Sequence, residues 1–276
     1  MATHACGDEH FVDYLPAMSL LYIFAATKTE ARALRRMPPV RWVRSAEGER
    51  KTGIIGPNRV EAFITGMGPA AARAAAQAVI RAVHTSELPR PDAVCVIGAC
   101  GSLSAGLPEN TIVIYNSCLQ EEGTPPPGEN RSGINSSPTL VSRLAAALMA
   151  NGIPCKAVTG ITSPKVAARR HDKLRLAGWG AHVVDMESYQ VLALAHEASI
   201  PCVALRAVSD SLDRTLPDFS LAIKASGELD TRRAARIALY APISTARLIV
   251  AQRRALQRLS QAMEVVLASA CWSKGA

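Results

Sequence analysis

The fold is decided by the stretch LLYIFAATKTEARALRR, residues 20–36. Its first seven residues form a continuous apolar run of strand length, and Glu30 to Arg36 is typical of a helix, which Pro38 and Pro39 end. A strand that is apolar on both faces belongs inside a sheet that is covered on both sides. The stretch therefore predicts the strand-then-helix unit of an α/β protein.

The same alternation of apolar strands and helices continues along the chain. Strands are predicted at residues 60–65, 93–97, 111–115, 156–161, 183–184 and 202–208, helices at 69–84, 138–151 and 187–198, a hairpin at 45–59 and a loop at 123–133. We therefore predict a single-domain α/β fold. It is a three-layer sandwich with a mixed, mostly parallel central sheet and a C-terminal helical extension.

Three parts of the chain are expected: an N-terminal extension at 1–18, a main domain at 19–228 and a basic amphipathic helical tail at 229–276. The tail carries seven arginines but one acidic residue between Asp230 and Ser260. Apolar residues recur there at helical spacing, namely Leu248, Ala251, Ala255, Leu259, Met263 and Val266, whereas Arg247, Arg254 and Arg258 lie on another face. Two interpretations remain open, a helix that contacts a membrane surface and a helix packed on the domain.

Composition limits the functional classes. With 49% apolar residues and a net charge of +8, the chain is not typical of a disordered protein. Its longest uncharged stretch, residues 93–108, is shorter than the ~20 residues that a membrane-spanning helix needs, and no basic residues open a signal sequence, so we expect a cytoplasmic protein. No aromatic residues interleave with the arginines, so no nucleic-acid partner is expected. The histidines and cysteines lack metal-binding spacing, so we expect no metal. Neither glycine-bearing turn extends to a dinucleotide-binding motif, and we expect no cofactor.

Three acidic residues follow predicted strands: Glu30, Glu187 and Asp210. Each alone has a structural explanation, as a first-turn helix glutamate or an N-cap. Two glycine-bearing turns, at 66–68 and 98–101, are predicted to follow strands in the same way. Because ligands of open α/β sheets bind beyond the carboxyl ends of the strands, these acids together predict a site.

The motifs VDMES at 184–188, LRAVSD at 205–210, TKTEA at 27–31 and GMG at 66–68 carry a family resemblance. The chain resembles the purine nucleoside phosphorylase superfamily over residues 19–213, and most closely its methylthioadenosine/S-adenosylhomocysteine nucleosidases. The arginine-rich tail resembles that of the hopanoid-associated phosphorylases, which cleave adenosylhopane. The resemblance implies a homodimer that releases adenine from a nucleoside, here one linked to a lipid and met at the inner membrane face.

The resemblance also implies roles for individual residues. Asp210 would protonate the departing purine, and Ser209 would orient Asp210. Glu187 would hold the ribose hydroxyls, Met186 would lie against the sugar, and Glu30 would position the attacking water. Cleavage of an N-glycosidic bond passes through an oxocarbenium-like state, so this set of acid, nucleophile-positioning group and sugar ligand suits the chemistry.

Water and phosphate remain open as nucleophiles. Phosphorolytic relatives place an arginine and a hydroxyl residue where this chain has Val96 and Ala99, which favours water. The backbone N–H groups of Gly66, Gly68 and Gly98 could still hold an anion. Arg32 or Arg35 could also reach such an anion.

Other classes are weighed against this interpretation. A methylthioadenosine/S-adenosylhomocysteine nucleosidase, a phosphate-dependent phosphorylase and a non-catalytic nucleoside- or lipid-binding protein are the alternatives. Cys100 in the segment 98–102 partly resembles a nucleophile elbow, but no helix is predicted after it, so a packed thiol is favoured. His171 lies among Arg169, Arg170 and Lys173, a cluster that indicates a solvated face.

Overall fold

The computed structural model describes residues 18–34, 43–45, 48–123, 133–224 and 226–273. Its strands are β1 (Ser19–Ala25), β2 (Val43–Ser45), β3 (Gly48–Ile55), β4 (Asn58–Ile64), β5 (Ala93–Ser102), β6 (Ile112–Gln120), β7 (Ile134–Asn135), β8 (Cys155–Thr162), β9 (Val183–Asp185) and β10 (Cys202–Asp210). Its α-helices are α1 (Lys28–Ala31), α2 (Pro69–His84), α3 (Pro138–Ala150), α4 (Arg170–Ala177), α5 (Ser188–Glu197), α6 (Thr231–Tyr240) and α7 (Pro242–Ala268). The predicted extension at 1–18 and loop at 123–133 lie almost wholly outside the described residues.

The strands join into one sheet in the order β10-β6-β8-β9-β5-β1-β4-β3-β2, with β7 beside β6. β10 also pairs with β5, so β5, β9, β8, β6 and β10 close into a ring. Parallel pairings join β1 to β4 and β5, β5 to β10, and β8 to β6 and β9. In the described part of the chain, antiparallel pairings are as frequent as parallel ones. The sheet is mixed, as predicted, and its parallel pairings form two groups, β6-β8-β9 and β10-β5-β1-β4.

Alternate residues of the central strands pack on opposite sides of the sheet. Leu21 and Ile23 of β1 belong to a core that includes residues of α3 and α7. Tyr22 and Phe24 point to the other side and belong to a core that includes residues of α2 and α5. Continuous apolar strands are needed because both faces are covered. The three-layer α/β sandwich predicted from the sequence is therefore confirmed.

The tail is two helices with different environments. The predicted apolar stripe of α7, including Ala255, Leu259 and Met263, is buried in the core beside the sheet. That stripe is therefore not available to a membrane, and the domain-packed interpretation describes it correctly. α6 has no buried residue. Among the described residues no single helix is long and apolar enough to cross a membrane, and α6 and α7 meet that criterion only as a pair bent by 116°.

Two further features differ from the sequence prediction. The glycine-bearing segment 98–101 is not a turn, because β5 continues through it to Ser102 and pairs with β10. Helix α4 was not predicted. It carries Lys173, which the sequence assigned to a solvated face but which is completely buried.

A β-bulge lies between Val208 and Asp210, where the register with β5 shifts. Successive side chains of a regular strand point to opposite faces, whereas a bulge can turn neighbouring side chains toward one site. Ser209 and Asp210 accordingly both line the same cavity.

Candidate active site

A cavity of about 220 Å³ opens where β1, β5, β9 and β10 end. Six of the residues predicted from the sequence line it: Glu30, Ala99, Met186, Glu187, Ser209 and Asp210. The three carboxylates, which lie at or just after the ends of separate strands, are thus brought together at one edge of the sheet.

Glu30 is held in place from two strands. Thr27 caps α1 by accepting a hydrogen bond from the Glu30 N–H at 3.2 Å. The Glu30 carboxylate accepts from the Ala26 N–H at 3.1 Å and from the Ala99 N–H at 2.9 Å. Burial raises the pKa of Glu30, while Arg206 and these N–H groups act in the opposite direction. Glu30 is therefore a fixed carboxyl group that can take up a proton more readily than an exposed glutamate.

Glu187 lies at the start of α5, next to the turn after β4. Its Oε1 accepts a hydrogen bond from the Gly68 N–H at 2.9 Å, and its Oε2 lies 3.6 Å from Arg206 Nη2. Burial raises the pKa of Glu187 to about 7; Arg206 lowers it, and the nearby Glu30 and Asp185 raise it. The nearby carboxylate of Glu30 therefore adds to the proton affinity that burial gives Glu187.

Asp185, which lines the cavity, and Arg206, which does not, form the charged framework of the site, and the sequence predicted a role for neither. Asp185 accepts hydrogen bonds from Tyr115, Thr162 and the N–H groups of Glu187 and Ser188, at 2.8 to 2.9 Å. Burial would raise the pKa of Asp185, but Arg206 and the Ser188 bonds outweigh it, so this pKa is lowered. Asp185 is thus an ionised anchor of the β9–α5 turn.

Arg206 is the buried cation among these carboxylates. It donates to Ser188 Oγ at 2.9 Å and to the Ala99 carbonyl at 3.1 Å. Burial alone would lower its pKa, but Asp185, Tyr115 and the two glutamates raise it, so Arg206 stays charged. A charged residue inside an otherwise apolar strand was the sequence signal for this role.

Asp210 is bound on both carboxylate oxygens. Its Oδ2 accepts from Lys173 Nζ at 2.5 Å, and its Oδ1 lies 2.7 Å from Ser209 Oγ. Both partners are buried. Asp210 is the last residue of β10 and caps no helix, so the N-cap interpretation does not hold.

The glycines predicted to bind an anion have other contacts. The Gly66 N–H donates to the Ala26 carbonyl at 3.1 Å, and the Gly68 N–H is used by Glu187. Gly98 provides space, because a Cβ there would lie 2.4 Å from Glu30 Oε1 and 2.6 Å from Arg206 Nη1. None of the three lines the cavity, although Met67 does. The expected anion cradle is therefore not formed by Gly66 and Gly68.

Two other expectations are also affected by the geometry. Arg32 lines a different groove and is not placed to hold a phosphate in this cavity, whereas Arg35 lies outside the described residues. Cys100 is buried in the interior of β5, and burial raises the pKa of its thiol. Because the thiolate is the nucleophilic form, this environment suits a packed thiol.

Part of the cavity lining, here called the apolar wall, consists of apolar residues. It combines Leu216, Pro217 and Phe219 with Leu248 of α7. Lys165 also lines the cavity, and its side chain is exposed. In the described parts of the chain, no group of histidine, cysteine, aspartate or glutamate side chains is arranged to hold a metal ion.

The fold is shared with solved nucleosidases. S-adenosylhomocysteine nucleosidase from Streptococcus pyogenes superposes with a TM-score of 0.69 at 15% identity, covering 91% of this chain and 97% of the other. The 5'-methylthioadenosine/S-adenosylhomocysteine nucleosidase of Neisseria meningitidis gives 0.68 at 16% identity, covering 91% and 99%. Futalosine hydrolase of Helicobacter pylori gives 0.67 at 13% identity, covering 90% and 97%.

Sequence comparison gives a family for most of the chain. Among curated proteins, no sequence matches it. The profile of the phosphorylase superfamily, however, matches residues 21–241. The superfamily predicted from the sequence motifs is thereby confirmed, and this chain belongs to the phosphorylase superfamily.

Proposed function

We propose that this protein cleaves the N-glycosidic bond of a purine nucleoside with water and releases adenine. One observation carries the proposal: Glu30, Glu187 and Asp210 line one cavity from three strand ends. Asp210 protonates the purine, Glu187 binds the ribose hydroxyls with Met186 against the sugar, and Glu30 positions the water. General acid catalysis and stabilisation of the oxocarbenium-like state are what this bond cleavage requires.

The charges around the cavity favour water over phosphate. Glu30, Asp185 and Glu187 surround one guanidinium, that of Arg206, which already donates to Ser188 and Ala99. Lys173 is likewise fully engaged by Asp210 and two carbonyls. A phosphate dianion would meet like charges, and the part of the chain that the structure describes provides no free buried cation for it, which is unfavourable in a cavity of low dielectric constant. Lys165 is a cation that lines the cavity itself, and its side chain is exposed.

The experiment is incubation with adenosine, methylthioadenosine and S-adenosylhomocysteine in buffers with and without phosphate. We expect adenine and free sugar in both buffers, with label from oxygen-labelled water at the anomeric carbon. Strict dependence on phosphate, with a sugar phosphate as product, would instead establish a phosphorylase. Binding of nucleosides without any base release would establish the non-catalytic alternative.

For the substrate, we propose an adenine nucleoside with an apolar group on its ribose, as in adenosylhopane. The apolar wall of Leu216, Phe219 and Leu248 supports this choice because these side chains favour contact with an apolar substituent, and Gln252 is the polar residue that α7 adds to the same lining. A series of adenosines with lengthening 5'-alkyl groups tests it. The expected result is a kcat/KM that rises with chain length. A preference for methylthioadenosine would favour the nucleosidase alternative.

We further propose that the protein is a cytoplasmic homodimer that contacts the inner membrane face. Exposed apolar side chains support the membrane contact: Leu221, Leu239, Tyr240 and Ile243 lie on η1 (Ser220–Ala222), α6 and the start of α7, close in sequence to the apolar wall. Arg232, Arg233 and Arg236 share α6 with Leu239 and Tyr240. Apolar residues beside arginines suit an anionic bilayer surface.

A further inference from the structure

Lys173 is a completely buried lysine in a basic stretch of sequence. Its Nζ donates to Asp210 Oδ2 at 2.5 Å, to the Ser211 carbonyl at 2.6 Å and to the Arg214 carbonyl at 3.2 Å. An ammonium group has three donors, and all three have partners here. Because burial of a charge is costly unless it is paired, the fold maintains this lysine for a specific contact.

Helix α4 holds Lys173 in position from outside the cavity. Asp172 accepts a hydrogen bond from the Arg169 N–H at 3.1 Å and so caps the helix. Arg170 pairs with Asp213 at 2.6 Å, which joins α4 to the segment that directly follows Asp210. The ammonium group and the carboxylate are therefore fixed relative to each other by two elements.

The other oxygen of Asp210 has a partner that suits both protonation states. Ser209 Oγ lies 2.7 Å from Asp210 Oδ1 and 3.2 Å from the Cys100 carbonyl. A hydroxyl has one proton, so it can satisfy both contacts fully only when Asp210 donates to it. With Asp210 ionised, the hydroxyl turns and donates to Oδ1. A proton on Oδ1 is thus accommodated while Oδ2 stays on Lys173.

We infer that Lys173 is a positioning residue for Asp210, an inference that rests on the proposed function. By occupying Oδ2, it leaves Oδ1 as the oxygen that passes its proton to the purine. In that step the Asp210 O–H bond breaks and an N–H bond forms on the purine. The glycosidic electron pair goes to the base, water adds to the sugar, and Glu30 takes up the proton that this water loses. The carboxylate charge that develops is stabilised by the adjacent ammonium, a contribution that appears in the transition state.

The test compares two leaving groups. Adenosine needs protonation of its base, whereas the phenolate of 4-nitrophenyl β-D-ribofuranoside departs without it. We expect Lys173→Gln to lower kcat on adenosine by about 100-fold with little change in KM. For the nitrophenyl riboside, the fold-loss in kcat should be smaller than that on adenosine by a factor of at least about ten. Lys173→Arg, which keeps the charge, should recover part of the loss. Glu187→Gln, which weakens ribose binding, should impair both substrates alike.

Equal losses on both substrates in folded Lys173→Gln would overturn the inference and leave Lys173 a structural residue. If that variant does not fold, the Asp210→Asn/Lys173→Gln double variant, which leaves no unpaired charge, replaces it. Because Lys173 acts through Asp210, the double variant should match Asp210→Asn on both substrates. A further loss relative to Asp210→Asn would contradict this. Wild-type inactivity on both substrates would instead contradict the proposed function.

Discussion

Glu187 Oε1 accepts a hydrogen bond from the backbone N–H of Gly68 at 2.9 Å. This bond joins the start of α5 to the turn after β4, and it fixes the carboxylate that we assign to the ribose. Gly68 has a φ of 92°, a conformation that side chains rarely adopt, although a Cβ there would meet no atom within 4 Å. The two glycine positions of the site, Gly68 and Gly98, therefore differ in what a methyl group would do.

Gly68→Ala should be tolerated by the site. The positive φ costs on the order of 1–2 kcal/mol of stability, but the N–H to Glu187 is retained. We expect a lower melting temperature and kcat/KM within about tenfold of the wild type. Thermal unfolding and adenosine cleavage measure the two effects.

Gly98→Ala should strongly impair activity. A Cβ at that position would lie 2.4 Å from Glu30 Oε1, so the carboxylate must leave its place between the Ala26 and Ala99 N–H groups. We expect a loss of at least about 100-fold in kcat, because the water-positioning group is displaced. Activity equal to that of Gly68→Ala would contradict the placement of Glu30.

Two conservative substitutions test the assigned roles directly. Asp210→Asn removes the proton donor and Glu30→Gln removes the water-positioning carboxylate, so each should lower adenine release from adenosine about 100-fold or more with the fold intact. Circular dichroism and steady-state kinetics provide the comparison. Near-normal turnover in both variants would show that the cavity is not the site of chemistry.

Stability should depend on pH through Glu187. Burial raises the pKa of Glu187 from 4.5 to about 7, so the folded protein binds more protons than the unfolded chain between these values. The contribution of this protonation to the free energy of unfolding is fully present below pH 4.5 and is lost as the pH rises through about 7. Each unit by which the pKa is raised corresponds to about 1.4 kcal/mol. Denaturant unfolding from pH 5 to 8 should therefore show falling stability, and Glu187→Gln should flatten the curve. An unchanged slope in that variant would place the effect elsewhere.

Local signals in the sequence predicted much of the fold. The helix Pro69–His84 was predicted with both its bounds, because Gly68 and a proline at its first position mark the start. The turn predicted from the glycines at 98–101 is wrong. These glycines lie inside a strand, where they leave room for the side chains of Glu30 and Asp210. The burial of Lys173 could not be predicted, since its polar sequence neighbours say nothing about the carboxylate 37 residues later that it meets in the fold.

Exposed apolar side chains at the end of α6 and the start of α7 should carry the membrane contact. Leu239 and Ile243 are 80% and 67% exposed, and Ile54, on β3, is 61% exposed and serves as a matched control. Truncation at Pro242 is unsuitable, because α7 contributes its apolar face to the core. The Leu239→Ser/Ile243→Ser variant should therefore lose binding to anionic vesicles at least about tenfold, since each leucine-sized side chain contributes roughly 1.5–3 kcal/mol when fully buried. Ile54→Ser should bind like the wild type.

Wild-type binding should also weaken as salt rises, because arginines near anionic headgroups contribute about 1 kcal/mol each. Sedimentation with phosphatidylglycerol vesicles measures all three proteins. Equal binding by the two variants, or no binding by the wild type, would remove the membrane contact from the proposed function while leaving the nucleosidase chemistry to stand on its own tests.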